Sequence, residues 1–184
     1  MKPIIFAIVC IFFSCQNKKE LPAADIQGTD TLATNFAEMA KQTDTIEINA
    51  EDAATWLKEV VESHFNDSGF PMEDICTPEY YEYKTDATQV GYDGGMTEED
   101  FVQKWSSTYD VRYAGISVGF LISAQDWGKI EVTRCVPKSK QIPGEITFEV
   151  FLTDVPYKMN YKRDITVIPV GKAYLIKNVA EFNE

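Results

Sequence analysis

The chain is poor in the side chains that most often do chemistry. It has one histidine, His64, and four cysteines among 184 residues. A paired-histidine site is thereby excluded, and two isolated cysteines with one histidine do not make the spaced ligand set of a metal centre. Basic residues are also scarce: 17 lysines and arginines face 29 aspartates and glutamates, a net charge of −12 at pH 7. Phosphate backbones repel such a surface, so nucleic acid is not an expected partner. No run is long enough to span a membrane, because the apolar stretch Ile4–Phe13 is about half of the ~20 residues required. Cofactor motifs are missing too. Gly115-x-x-x-Gly119 lacks the lysine and the strand-to-helix setting of a phosphate loop. Asp93 with Glu98, Glu99 and Asp100 does not have EF-hand spacing, and a capped helix explains those acids. No internal repeat is visible.

What is present begins at the N-terminus. Lys2 precedes the apolar run, Ser14 supplies a small residue, and the sequence turns polar from Gln16; this is the pattern of a secretory signal peptide. Phe12-Phe13-Ser14-Cys15 resembles the lipobox of Gram-negative lipoproteins, with Phe12 where the strict form has leucine. The resemblance implies cleavage after Ser14 and acylation of Cys15, with palmitate-type chains as the membrane anchor. An unlipidated signal peptide is the alternative, and it gives Cys15 no role. The remaining acidic chain would be repelled by anionic headgroups, so acyl chains rather than the protein surface would hold it to the membrane. Lys18-Lys19-Glu20 does not read as an inner-membrane retention signal. The expected location is the cell envelope, at the outer membrane, on either face.

Residues 15–47 read as a polar tether that carries the lipidated cysteine. Leu32, Phe36, Met39 and Ala40 fall at helical spacing and place a short helix within it. A flexible stretch of this length has a reach of about 30 Å. Residues 48–184 then form one α+β domain. Asn49 is a good N-cap with Glu51 and Asp52 in the first turn. Ala53, Trp56, Leu57, Val60, Val61 and His64 share one helical face. Thr77-Pro78 opens a second helix that carries Tyr80, Tyr81 and Tyr83, the expected partner-contact residues. Thr97 to Asp100 begins a third, with Phe101, Trp105 and Tyr109 on one side.

Beyond Asp110 the pattern turns from helix to strand. Ile130 and Val132 alternate with polar residues, as do Ile146, Phe148, Val150 and Leu152. Asp164–Val170 and Lys172–Phe182 flank Gly171 as a hairpin, and Gly115 and Gly119 bracket a further stretch expected as a bent strand. Helices first and an antiparallel sheet after give an α+β fold with helices on one face. Cys76 and Cys135 form an even pair in an exported chain. A disulfide, closing a loop worth roughly 4 kcal/mol, and two separate buried thiols both fit.

This element order, with the segments Cys76–Tyr81 and Gly119–Trp127, resembles exported domains of the cone-shaped nuclear transport factor 2-like type. Cystatin-like α+β rolls share the pattern. The resemblance implies a pocket at the wide end of the cone. Trp56, His64, Trp105, Asp110, Tyr113, Asp126 and Trp127 are its candidate lining. Isomerases and dehydratases of that superfamily use such pockets for acid–base chemistry, which makes Asp110, Tyr113, Asp126 and His64 the residues to locate. Their spacing singles out no catalytic set. The leading expectation is therefore a binding domain for a small apolar ligand or a protein partner, without cofactor or metal; an acid–base enzyme and an interaction or inhibitor-type protein without a pocket are the alternatives.

Overall fold

A computed structural model describes residues 48–67 and 69–182. The signal peptide, Cys15, the tether and its short helix lie outside the described residues. Helix α1 spans Ala50–Asn66, and the Asn49 side chain accepts from the backbone N–H groups of Glu51 and Asp52. A single turn, α2, covers Met72–Ile75. Helix α3 (Pro78–Gln89) has Thr77 as its cap and proline in its first turn, and α4 (Glu98–Trp105) is capped by Thr97. A 3-10 turn, Val111–Tyr113, precedes the sheet. The caps read from the sequence are thus the caps observed, because each side-chain oxygen meets a backbone donor that the helix leaves unpaired.

Four strands follow, β1 (Ile130–Pro137), β2 (Ile146–Asp154), β3 (Met159–Val170) and β4 (Ala173–Glu181). They form one antiparallel sheet in sequence order. In β2, Ile146, Phe148, Val150, Leu152 and Asp154 are buried and the alternate residues are not, so one sheet face meets the helices. Ala53, Leu57, Val60, Tyr80, Tyr83, Phe101 and Trp105 close the core from the other side.

Each edge of the sheet is met at one place by the helical layer. Asn66 of α1 donates to the Ile130 carbonyl and accepts from the Ile130 N–H, at 2.8 and 3.0 Å, and Glu62 accepts from the Val132 N–H at 2.9 Å. A helix thereby satisfies the outer edge of β1 with side chains. At the opposite edge the Thr77 N–H donates to the Ile176 carbonyl at 2.8 Å, in a short parallel bridge between Cys76 and β4. Unpaired strand edges invite association with other chains, and these contacts cover the start of β1 and the Ile176 position of β4.

One expectation is corrected, and of the two open readings of the cysteines the structure has the separate thiols. The stretch around Gly115 and Gly119 is not a strand: Gly115, Ser117 and Leu121 have φ of 60°, 59° and 68°, a left-handed backbone that no strand tolerates. Its hydrogen bonds run to helix α3 instead, with the Ser117 N–H on the Ala87 carbonyl at 2.8 Å. Cys76 and Cys135 are free. Cys76 bridges to the outer edge of β4 and Cys135 is on β1, so β2, β3 and β4 stand between them. Four strand spacings are on the order of 19 Å along the sheet, well beyond the Cα separation that a disulfide bridges.

Candidate functional site

The residues expected to line a cone pocket do not converge. On α1, Trp56 packs its ring 5.7 Å from Tyr174, near the end of the sheet where β3 turns into β4. His64 lies toward the other end of the helix, half-buried between Phe65 and Phe120 at 4.8 and 5.4 Å. Its Nδ1–H donates to the Phe70 carbonyl at 2.6 Å, which fixes the tautomer and gives the ring a structural bond. Trp105 is buried and donates through Nε1 to Asp86 Oδ2 at 2.8 Å.

Of the acid–base candidates, Asp110 and Tyr113 share the 3-10 turn, where the Tyr113 N–H donates to the Asp110 carbonyl at 3.1 Å. Asp110 is exposed; it caps the 3-10 turn and pairs with Arg112, whose Nη2 lies 2.6 Å from Oδ2. Hydrogen bonding from that guanidinium holds its carboxyl below the usual range. Tyr113 tilts against Phe182 at 5.2 Å. Asp126 is exposed, and Trp127, 45% exposed, rests edge-on against Phe65 at 5.6 Å. Nor do the tyrosines of α3 form a contact surface. Tyr80 and Tyr83 are buried, and Tyr83 stacks on Tyr109 at 4.2 Å and on Phe101 at 5.5 Å. Tyr81 alone of the three is partly exposed.

The interior of the domain instead holds a charged cluster. Lys84 of α3, Arg163 of β3 and Glu181 of β4 are each at most 3% exposed. Lys84 Nζ lies 2.7 Å from Glu181 Oε1, a buried ion pair. The ammonium donates to the carbonyls of Ala114 and Gly115 at 2.9 and 3.1 Å. Arg163 donates from Nε to the Leu121 carbonyl at 2.7 Å, and from Nη1 to the Lys162 and Phe182 carbonyls at 2.7 and 3.2 Å. Two cations thus share one carboxylate, and the carbonyl dipoles take up the excess positive charge. Desolvation pushes the Glu181 carboxyl up and the Lys84 ammonium down, each partly offset by the other.

Most of these contacts converge on the irregular segment 114–122. A buried backbone without a strand or helix ladder needs partners for its carbonyls, and Lys84 and Arg163 provide them. Ile122 N–H closes a tight turn onto the Phe120 carbonyl, with Leu121 at its centre. Left-handed backbone at Ser117 and Leu121 costs about 1–3 kcal/mol each and persists only where the surroundings over-determine it. Gly115 is required on two counts: its φ is 60°, and a Cβ there would stand 2.2 Å from Glu181 Oε2.

The clamped segment forms one wall of an open groove of about 440 Å³ against the last turn of α3. Thr88, Gln89, Tyr92, Ser117, Ser123 and Gln125 contribute to it. Thr88 and Ser117 are themselves set by hydrogen bonds, to the Val118 carbonyl at 3.0 Å and the Val90 carbonyl at 2.7 Å. Grooves elsewhere are charged: Lys58, Glu62, Lys129 and Glu131 line one beside β1, and Asp110 and Arg112 another. Among the described residues no cluster of three or more histidines, cysteines and acids forms a metal-holding group, and no helix is long and apolar enough to cross a membrane.

Sequence reasoning missed Lys84, Arg163 and Glu181. The signal was available. Lys84 falls in the series Tyr80, Tyr83, Lys84, Ala87 on one helical face. Arg163 alternates with Tyr161 and Ile165, and Glu181 with Val179, on the inward side of their strands. No protein-family model, curated protein or solved structure matches the chain.

Proposed function

We propose that this chain is an exported lipoprotein acylated at Cys15, whose domain follows the nuclear transport factor 2-like plan and works by binding rather than by catalysis. The observation that carries the reading is the filled interior. Between the helices and the sheet, Tyr80, Tyr83, Phe101 and the Lys84–Glu181 pair are packed, each side chain essentially without solvent exposure. Asp110 and Tyr113 share one 3-10 turn, but Arg112 takes both oxygens of the Asp110 carboxylate, which an acid–base isomerase or dehydratase would need to present to a reacting atom. The four-stranded antiparallel sheet with helices over one face supports the cone plan, and a cystatin-like roll is the competing description. Recognition then falls to the surface, by a groove for a small molecule.

A protein partner is the second reading. Trp127, Val155, Tyr157 and Met159 are each 43–60% exposed. They gather at the end of the sheet where the β2–β3 hairpin meets the start of β1, joined there by the Val155 N–H to Lys129 carbonyl bond. Exposed apolar groups collected in this way mark contact surfaces. The acyl chains on Cys15 would hold the domain at the outer membrane, and the tether would let it work clear of the headgroups.

Metabolic labelling with a clickable fatty acid, comparing the wild-type chain with Cys15→Ser, tests the anchor: label is expected only in the wild type, and equal labelling removes it. Thermal-shift screening of the full-length chain tests binding by mass action. A raised melting temperature without turnover of the ligand is expected. Conversion of a bound ligand to product would overturn the non-catalytic reading.

A further inference from the structure

From the groove between the last turn of α3 and the segment 117–125, we infer a binding site for a neutral, polyhydroxylated ligand, an oligosaccharide in its chemistry. The inference deepens the reading of the domain as a binding module and rests on it. Three observations carry it.

The first is charge. None of the residues lining the groove is ionisable except Tyr92, in a protein of net charge −12. An anionic ligand would find no counter-charge there and would be repelled by the surrounding field. A cation would find no carboxylate within the groove to hold it.

The second is the hydrogen-bonding inventory. Thr88 and Ser117 spend their hydroxyl protons on the Val118 and Val90 carbonyls, so each offers a fixed acceptor. Gln89, Ser123 and Gln125 make no side-chain hydrogen bond among the described residues, so their donors and acceptors face solvent. Val118 and Ala124 add apolar wall on which the C–H faces of a sugar can rest, but a purely apolar ligand would also strip water from five neutral polar side chains and replace none of those bonds. A ligand rich in hydroxyls, each both donor and acceptor, would replace them one for one.

The third is shape. The Tyr92 ring, 60% exposed on the turn after α3, supplies an amphipathic face on which the C–H side of a sugar ring can lie, with a phenol at its edge. The volume of about 440 Å³ falls in the roughly 300–1,000 Å³ range of small-molecule sites. The opposite wall does not drift, because Lys84 and Arg163 pin the carbonyls of Ala114, Gly115 and Leu121 on either side of it.

Calorimetric titration of the full-length chain with neutral hexasaccharides of glucose, mannose and xylose, and with polygalacturonate as the charged control, tests the site. At least one neutral glycan is expected to bind, and Tyr92→Ala and Gln125→Ala are each expected to weaken it about tenfold with an unchanged melting temperature. Three results would overturn the inference: no neutral glycan bound at millimolar concentration, polygalacturonate bound equally well, or binding indifferent to both substitutions. If the chain is acylated and cross-links to a protein partner while no glycan binds, the ligand class fails and the binding-domain reading survives.

Discussion

Lys84 Nζ lies 2.7 Å from Glu181 Oε1, with both side chains at most 2% exposed. Moving each ion out of water costs several kcal/mol, and attraction between them offsets that only with good geometry and further hydrogen bonds. Here the further bonds go to backbone carbonyls of the segment 114–122, so the cluster serves the irregular backbone as much as the ion pair.

Truncating one partner leaves the other charge buried. Lys84→Met is expected to lower the free energy of unfolding by about 3–5 kcal/mol, read from urea titration. The double variant Lys84→Met with Glu181→Leu is expected to recover only part of the loss, since it removes one charge of each sign but also takes the Glu181 carboxylate away from the buried Arg163.

The pH dependence of stability follows from Glu181. Burial raises its carboxyl above the ordinary value of 4.5, so the folded domain holds that proton more tightly than the unfolded chain does. Between 4.5 and the raised value, stability from this group grows as pH falls and is lost as pH rises. Wild type compared with Glu181→Gln across that window, by urea midpoint, is expected to gain at the acid end. Asp110, Glu131 and Glu149, whose carboxyls are held low by Arg112, Lys129 and Lys162, act in the opposite sense in both proteins and cancel.

Gly115→Ala combines a left-handed φ with a Cβ aimed into the Glu181 carboxylate. A loss of about 3 kcal/mol is expected. Ala at Gly171, also left-handed but with no atom within 4 Å of its Cβ, is expected to cost about 1–2 kcal/mol, so the difference between the two isolates the clash.

Asn66→Ala frees both the N–H and the carbonyl of Ile130 at the β1 edge. A loss of about 1–3 kcal/mol is expected, together with concentration-dependent association on size-exclusion chromatography through the opened edge.

Maleimide labelling in denaturant without reductant is expected to modify both Cys76 and Cys135. Labelling under native conditions is expected to be slow, because burial raises both thiols, Cys135 to about 11. A chain that labels only after reduction would contradict the separation of β1 from β4.

Much of the fold is legible in the sequence, because caps and alternation act locally. Asn49, Thr77 and Thr97 mark helix starts, and Ile146 to Leu152 mark the buried face of β2. Boundaries drift where the signal is mixed: β3 begins at Met159 rather than Asp164, because Arg163 and Lys162 read as solvent-facing. The sites are less legible. A buried lysine or glutamate looks like a surface one until its partner is known, and Lys84 and Glu181 are 97 residues apart in a chain whose topology joins them. The left-handed backbone at Ser117 and Leu121 has no residue signature at all, since it is imposed by tertiary bonds.

The role of the buried charges in holding the groove wall is tested most directly by amide hydrogen exchange in the Lys84→Met with Glu181→Leu double variant. The amides of Ser117, Val118 and Ile122 are hydrogen-bonded within the clamped segment or to α3. Their protection is expected to fall while that of β2 and β3 stays near wild type. Unchanged protection at those three amides would show that the segment holds without the Lys84 bonds to Ala114 and Gly115 and would contradict a clamp by Lys84.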